Sequence, residues 1–240
     1  MMSQFSSAFT VTSVMTKLCD MQCAETADQA AALYQQYKYD VVPQISGVDV
    51  TRFYERGSEL VAINRDHLIS DGTRITDLFQ LLSVREFYFV LASDRISGYI
   101  HFSDLNTPLV RVPIYMLLQA TERHLLSIVM SRVNTDDLEE YLGVERIKQL
   151  GRFLNSGKRG NADTSIWDVL GIQDTLSIVF QLALAVELRE NDINCLKALR
   201  NDIAHVGNQL IDRHSKANEL ARQLRLCDSL RRIPGEATNE

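Results

Sequence analysis

Every strand-like segment of this chain lies before Pro108, and from Ile114 onward the apolar residues recur only at helical spacing. A chain divided this way cannot close one continuous sheet. It must build a mixed part and an all-helical part, the α+β class with segregated elements. Pro108 and Pro113 bracket the junction. At 240 residues, 45% hydrophobic and 23% charged, the chain has the composition of a soluble globular protein with one large domain or two small ones.

The first part alternates helix and strand patterns. Thr26 or Glu25 opens a helix over Ala27–Tyr37, with Ala30, Leu33 and Tyr37 at helical spacing. Tyr39–Ile45 reads as a strand, and Val50–Tyr54 and Glu59–Ile63 as a hairpin around Glu55-Arg56-Gly57-Ser58. The order then restarts. Ser70 or Asp71 caps a helix over Ile75–Leu82. Phe87–Ala92 and Gly98–Phe102 are strands joined at Ser93-Asp94-Arg95, and Ser103-Asp104 starts a new helix or turn. A helix followed by a hairpin, twice over, is a weak internal repeat.

In the second part Ile114–Val133 is periodic, and Asn134 or Thr135 caps a helix whose first turns are acidic. Leu138–Leu154 continues helical with a break near Gly143, and residues 155–161 read as a basic loop carrying Lys158 and Arg159. Ile166–Leu188 is expected as one long helix kinked at Gly171. Asp192–Val206 and Leu210–Arg232 complete an up-down bundle, and residues 234–240 form a tail. Trp167 is expected in the core and His214 on the surface. The apolar run Leu176–Leu188 is interrupted by Ser177, Gln181 and Glu187 and is too short to span a bilayer, so no membrane association is expected.

The net charge of −6 is uneven, with 8 basic and 13 acidic residues in 1–110 against 17 and 18 in 111–240. The second part has enough arginines for a local basic groove without being basic overall. Cys19, Cys23, Cys195 and Cys227 contain no Cys-x-x-Cys and no second pair at zinc spacing. They read as reduced thiols of a cytoplasmic protein, with no metal site. No basic region followed by an apolar core precedes residue 30, so a signal peptide is not expected. No Gly-x-x-x-x-Gly-Lys-Ser/Thr, Gly-x-Ser-x-Gly, His-Glu-x-x-His or Gly-x-Gly-x-x-Gly frame occurs.

The chemistry concentrates in Leu199-Arg200-Asn201-Asp202-Ile203-Ala204-His205. A permanent guanidinium and a titratable imidazole stand five residues apart, with an amide directly after the arginine. Five helical residues turn about 500°, so Arg200 and His205 lie roughly 140° apart. Asn201 and His205 share a face. Arg200 must wrap around to reach the same phosphate, or a second subunit must supply the partner group. Gly207 ends the helix just after His205.

Two families are resembled. Gly98-Tyr99-Ile100-His101-Phe102-Ser103-Asp104-Leu105 resembles the ending of a cystathionine-β-synthase (CBS) repeat, and Ser13-Val14-Met15-Thr16 resembles the opening of a CBS pair. The resemblance implies a CBS-like domain over 10–108 that dimerises or senses an adenine nucleotide, with Asp104 on the ribose hydroxyls and His101 standing where the family has Thr. The first repeat lacks the ending. The Arg-x(4)-His heptapeptide resembles the signature of HEPN domains, helical modules of many metal-independent ribonucleases. That resemblance implies a HEPN-like up-down bundle over 111–233 in which His205 is the general acid–base, Arg200 stabilises the phosphate, and Asn201 orients the imidazole or donates to phosphate.

Together they imply a homodimeric, nucleotide-regulated endoribonuclease that needs no cofactor and uses the 2′-hydroxyl of RNA as its nucleophile. Lys158 and Arg159 contact the RNA backbone in this reading. Glu122 and Arg123, at a place where family members often carry polar residues, read as a surface salt bridge. The competing expectation is a non-catalytic adenine-nucleotide-binding or docking protein, whose partner is an antitoxin or a nucleotidyltransferase. Phage defence is an analogy to such pairings.

Overall fold

A computed structural model describes residues 9–46, 49–159, 164–185, 188–205, 207 and 209–235. The chain is mixed α+β and divides into two compact units, Met1–Pro113 with Ile211–Asn218, and Ile114–Leu210 with Glu219–Glu240.

The first unit holds two small sheets. Strands β1 (Thr16–Lys17), β7 (Arg95–His101), β6 (Phe87–Ala92) and β5 (Leu68–Ser70) lie in that spatial order. β5 and β6 run parallel, and the other neighbours antiparallel. The parallel pair needs a crossover, which α2 (Ile75–Leu82) supplies. Ile75, Leu78, Phe79 and Leu82, at positions i, i+3, i+4 and i+7, are each 0% exposed. Burial of each contributes about 1.5–3 kcal/mol.

The second sheet is an antiparallel meander of β2 (Val41–Ser46), β3 (Asp49–Glu55) and β4 (Glu59–Ala62). Helix α1 (Ala27–Tyr37) starts where the sequence predicts, through a reciprocal cap. The Gln29 N–H donates to Thr26 Oγ1, and Gln29 Oε1 accepts from the Thr26 N–H, both at 3.3 Å. α1 and β2–β3 share a small cluster of Ala24, Ala30, Val42, Tyr54 and Leu33. A larger cluster joins Val41 and Phe53 of the meander to Phe87 and Phe89 of the other sheet. Phe53 meets His67, Phe87 and Phe89 at ring-centroid distances of 5.3, 5.4 and 5.5 Å.

The second unit is helical. Its elements are α3 (Pro108–Arg132) from Ile114 on, α4 (Leu138–Leu142), α5 (Val144–Arg159), α6 (Ile172–Gln181), α7 (Glu190–Ala204) and α8 (His214–Leu230) from Glu219 on. Gly143, at φ 78°, separates α4 from α5 as its lack of a Cβ permits. Two buried aspartates fasten helix starts. Asp174 accepts the Gly171 N–H at 3.0 Å, and Asp192 accepts the Arg189 N–H at 3.1 Å. Each also meets an arginine of another helix, Arg146 on α5 and Arg222 on α8.

Several sequence expectations are corrected. α3 begins at Pro108 and runs through Pro113, whose ring nitrogen gives up one backbone hydrogen bond. The expected loop over 155–161 is helical as far as Arg159. Asn-Ser-Gly at 155–157 carries turn residues, but the amphipathic pattern of α5 overrides them; Gly160 and Asn161 lie outside the described residues. The expected helix Ile166–Leu188 is three pieces. A 3-10 turn covers Ile166–Val169, Gly171 is extended, and α6 stops at Gln181. There Ala183 takes a left-handed φ of 50°, and the Ala183 and Leu184 N–H groups close on Phe180 and Val179 carbonyls at 3.0 and 3.1 Å. Trp167 is half-buried rather than a core anchor, since it sits on that 3-10 turn, none of whose residues is fully buried.

Candidate functional site

In the first unit a cavity of 410 Å³ is lined by Lys38, Tyr39, Asp40, Tyr99, His101 and Asp104, among others. β7 delivers Tyr99 and His101, and a 3-10 turn over Phe102–Asn106 delivers Asp104. The turn begins with a reciprocal cap. The His101 N–H donates to Asp104 Oδ2 at 2.8 Å, and the Ser103 N–H donates to His101 Nδ1 at 3.3 Å. One oxygen of the half-buried Asp104 is therefore engaged by the His101 backbone N–H, while the residue still lines the cavity.

The ring of His101 stacks on Tyr99 with an interplanar angle of 5° and lies 4.2 Å from the Phe102 ring. Burial holds its imidazole below the usual range, and Asp104 and Asp40 pull it back only in part. Burial also raises the Asp104 carboxyl, opposed by the His101 N–H and imidazole. The phenol of the half-buried Tyr99 is pushed well above its usual range by loss of solvent, with the charges of Asp104, Asp40 and Glu86 acting in the same direction.

Gly98 explains why β1 can close this region. A Cβ there would stand 2.6 Å from the Thr16 carbonyl oxygen and 2.8 Å from Met15 Sδ. His214, expected at the surface, is instead half-buried. Its Nε2 is 2.6 Å from the Leu82 carbonyl oxygen, and its ring centroid is 5.8 Å from that of Phe102. Asn106 and Ile211 exchange hydrogen bonds of 2.7 and 2.8 Å, which brings the 211–218 segment to the first unit.

In the second unit, Arg200 and Asn201 lie on the last turn of α7, and His205 is its C-cap residue. The His205 N–H donates to the Asn201 carbonyl at 3.0 Å, and all three side chains are exposed. α7 is set by its apolar stripe, Ile193, Leu196, Leu199 and Ile203, which is buried. This stripe turns Arg200 and Asn201 outward.

Glu122 lies on α3. Burial raises its carboxyl, and the first force opposing that is the charge of Arg200, ahead of the Gln119 amide, the Ile172 N–H and Arg123. Glu122 is half-buried, and its Oε2 accepts the Gln119 amide at 3.0 Å. Lys158 and Arg159 fall on the last turn of α5, and their side chains lie outside the described residues.

Among the described residues there is no group of three or more His, Cys, Asp or Glu that could hold a metal ion, and no helix long and apolar enough to cross a membrane. No family model, no curated protein and no solved structure matches the chain.

Proposed function

We propose that this protein is an endoribonuclease that works without a metal, with its reacting groups at the C-terminal end of α7. The observation that carries the reading is His205, an exposed C-cap residue one turn from Arg200 and Asn201. A ribonucleotide brings its own nucleophile. The His205 imidazole takes the proton of the 2′-hydroxyl as the 2′-oxygen–phosphorus bond forms. The phosphorus–5′-oxygen bond breaks, and the 5′-oxygen is protonated by an imidazolium. Arg200 offsets the charge on the five-coordinate phosphorus, and Asn201 supplies a neutral donor. The two ends of the Arg-x(4)-His segment diverge by roughly 140° around the helix axis. A homodimer that pairs two such helices resolves this, since each copy supplies the group the other cannot aim.

The cavity bounded by His101 and Asp104 supports a regulatory small-molecule site in this reading, with an adenine nucleotide as effector. Lys38 offers a cation and Tyr39 a ring face, the complement of a phosphorylated aromatic ligand. The same cavity favours the second reading, a nucleotide-binding protein without catalysis. Cleavage of mixed RNA in EDTA by wild type, Arg200→Ala and His205→Ala, run beside calorimetry with adenine nucleotides, separates the two. Cleavage lost in both variants supports the nuclease. Nucleotide binding without cleavage supports the second reading.

A further inference from the structure

A second cavity, of 550 Å³, opens in the helical unit between α4, α5, α6 and α7. Its wall is rich in side-chain amides. Gln173, Ser177 and Gln181 come from α6 at positions i, i+4 and i+8, so they form one stripe. Gln149 and Arg146 come from α5, and Lys197 from α7.

The hydrogen bonds already made leave a defined set of groups for a ligand. Arg146 is committed to Asp174 through two bonds of 2.8 Å, and its Nη1 donates to Gln149 Oε1 at 3.0 Å. Gln149 therefore keeps its NH2 group as a donor. Gln181 spends its NH2 on the Tyr141 carbonyl at 2.7 Å and keeps its carbonyl oxygen as an acceptor. Gln173 adds both a donor and an acceptor, and Ser177 a hydroxyl. With Arg146 neutralised by Asp174, Lys197 is the cation of the cavity wall.

Paired donors and acceptors on planar amides suit the edge of a nucleobase better than they suit a phosphate, which only accepts. The cation suits the phosphate attached to such a base. Lys197 also connects the cavity to the Arg-x(4)-His segment. Lys197 and Asn201 of α7 and its C-cap residue His205 stand at i, i+4 and i+8 and are all exposed. Successive members are displaced by about 40° around the helix axis and about 6 Å along it.

We infer that this cavity takes one unstacked base of a single-stranded RNA, read by Gln149, Gln173 and Gln181, with Lys197 on its phosphate and the strand continuing along α7 to His205. The inference rests on the nuclease reading of Arg200 and His205 and assigns that reaction a single-stranded substrate.

The test is the affinity of fluorescein-labelled single-stranded homopolymer RNAs, measured by anisotropy in the His205→Ala background so that nothing is cut. Lys197→Glu and Gln173→Ala change accessible positions, and circular dichroism checks their fold. Lys197→Glu is expected to weaken binding of every homopolymer about tenfold, and Gln173→Ala to erase a preference among them of about tenfold. Equal affinities and preferences in parent and variants overturn the cavity, and if wild type still cleaves RNA the nuclease reading survives that loss. The expected changes without any wild-type cleavage keep the cavity and end the nuclease reading. Free nucleoside monophosphates that displace the RNA only from protein with Gln173 intact confirm that the base is the group recognised. Binding of free nucleotide but of no RNA overturns the inference.

Discussion

Arg146 clamps Asp174 through two parallel hydrogen bonds, Nε to Oδ1 and Nη2 to Oδ2, each 2.8 Å long. The same carboxylate accepts the Gly171 N–H at 3.0 Å, so one buried group joins α5 to α6 and starts α6. The fork geometry is particular to arginine. Asp174→Ala is expected to lower stability by about 2–3 kcal/mol, because it removes a cap and leaves donors without an acceptor. Arg146→Lys keeps the charge and loses the fork, at a cost of about 1 kcal/mol. Urea midpoints of the two variants check both the order and the sizes.

His67 is 6% exposed, lies between Phe53 and Phe87, and accepts the Asn64 N–H on Nδ1 at 3.2 Å. Burial, with help from Arg85, holds its imidazole below the usual range, against Asp66 and Glu55. The unfolded chain therefore takes up this proton more readily than the folded chain. The His67 contribution to stability is complete above the unfolded value of about 6.5 and is lost as pH falls from there through the lowered folded value. His101, lowered by burial, acts in the same direction. Thermal midpoints are expected to fall from pH 7 to pH 5, and His67→Phe is expected to reduce that fall. A variant whose midpoint falls just as steeply removes His67 from the explanation.

Among the thiols, Cys227 is 0% exposed and burial pushes it up to about 12, whereas Cys19 is exposed. The thiolate is the reacting species. Iodoacetamide at neutral pH is expected to label Cys19 in the folded protein and Cys227 only after unfolding. Mass spectrometry of the labelled peptides reads this directly.

At Gly98 the nearest atoms to an added Cβ include the backbone carbonyl of Thr16, which cannot turn aside as a side chain can. Gly98→Ala is expected to separate β1 from β7. It should cost about 1–3 kcal/mol, the usual penalty of overpacking. The nearby cavity is lined by Thr16 and Tyr99, so the variant should also weaken any ligand held there. Denaturant unfolding and calorimetry with adenine nucleotides measure the two effects separately.

Much of the fold follows from local physics. Thr26 and Gln29 cap α1 from within its own first turn, and the apolar spacing of Ile75 to Leu82 marks α2. The hairpin turn at Arg56-Gly57 needs positive φ, and both residues adopt it, at 48° and 74°. Nonlocal features were not readable. β1 is two residues long and exists through pairing with β7. The end of α6 at Gln181 depends on Ala183 accepting a left-handed conformation that its residue type does not announce. His214 reads as a surface residue because its acceptor, the Leu82 carbonyl, is 132 residues away. At the candidate site the sequence picks out Arg200, Asn201 and His205 from their spacing. It gives no sign of the amide-lined cavity, because those groups come from separate helices.

The most direct test of the account is the chemistry of the ends produced from RNA in EDTA. Wild-type protein is expected to leave 2′,3′-cyclic phosphate and 5′-hydroxyl ends. Arg200→Ala and His205→Ala should each slow cleavage by at least about 100-fold, the scale of losing a general acid–base or a charge-stabilising donor. A single 2′-deoxy substitution at the cut position should abolish cleavage there. Cleavage that survives the deoxy substitution, or a His205→Ala protein that cuts as fast as wild type, would contradict the account.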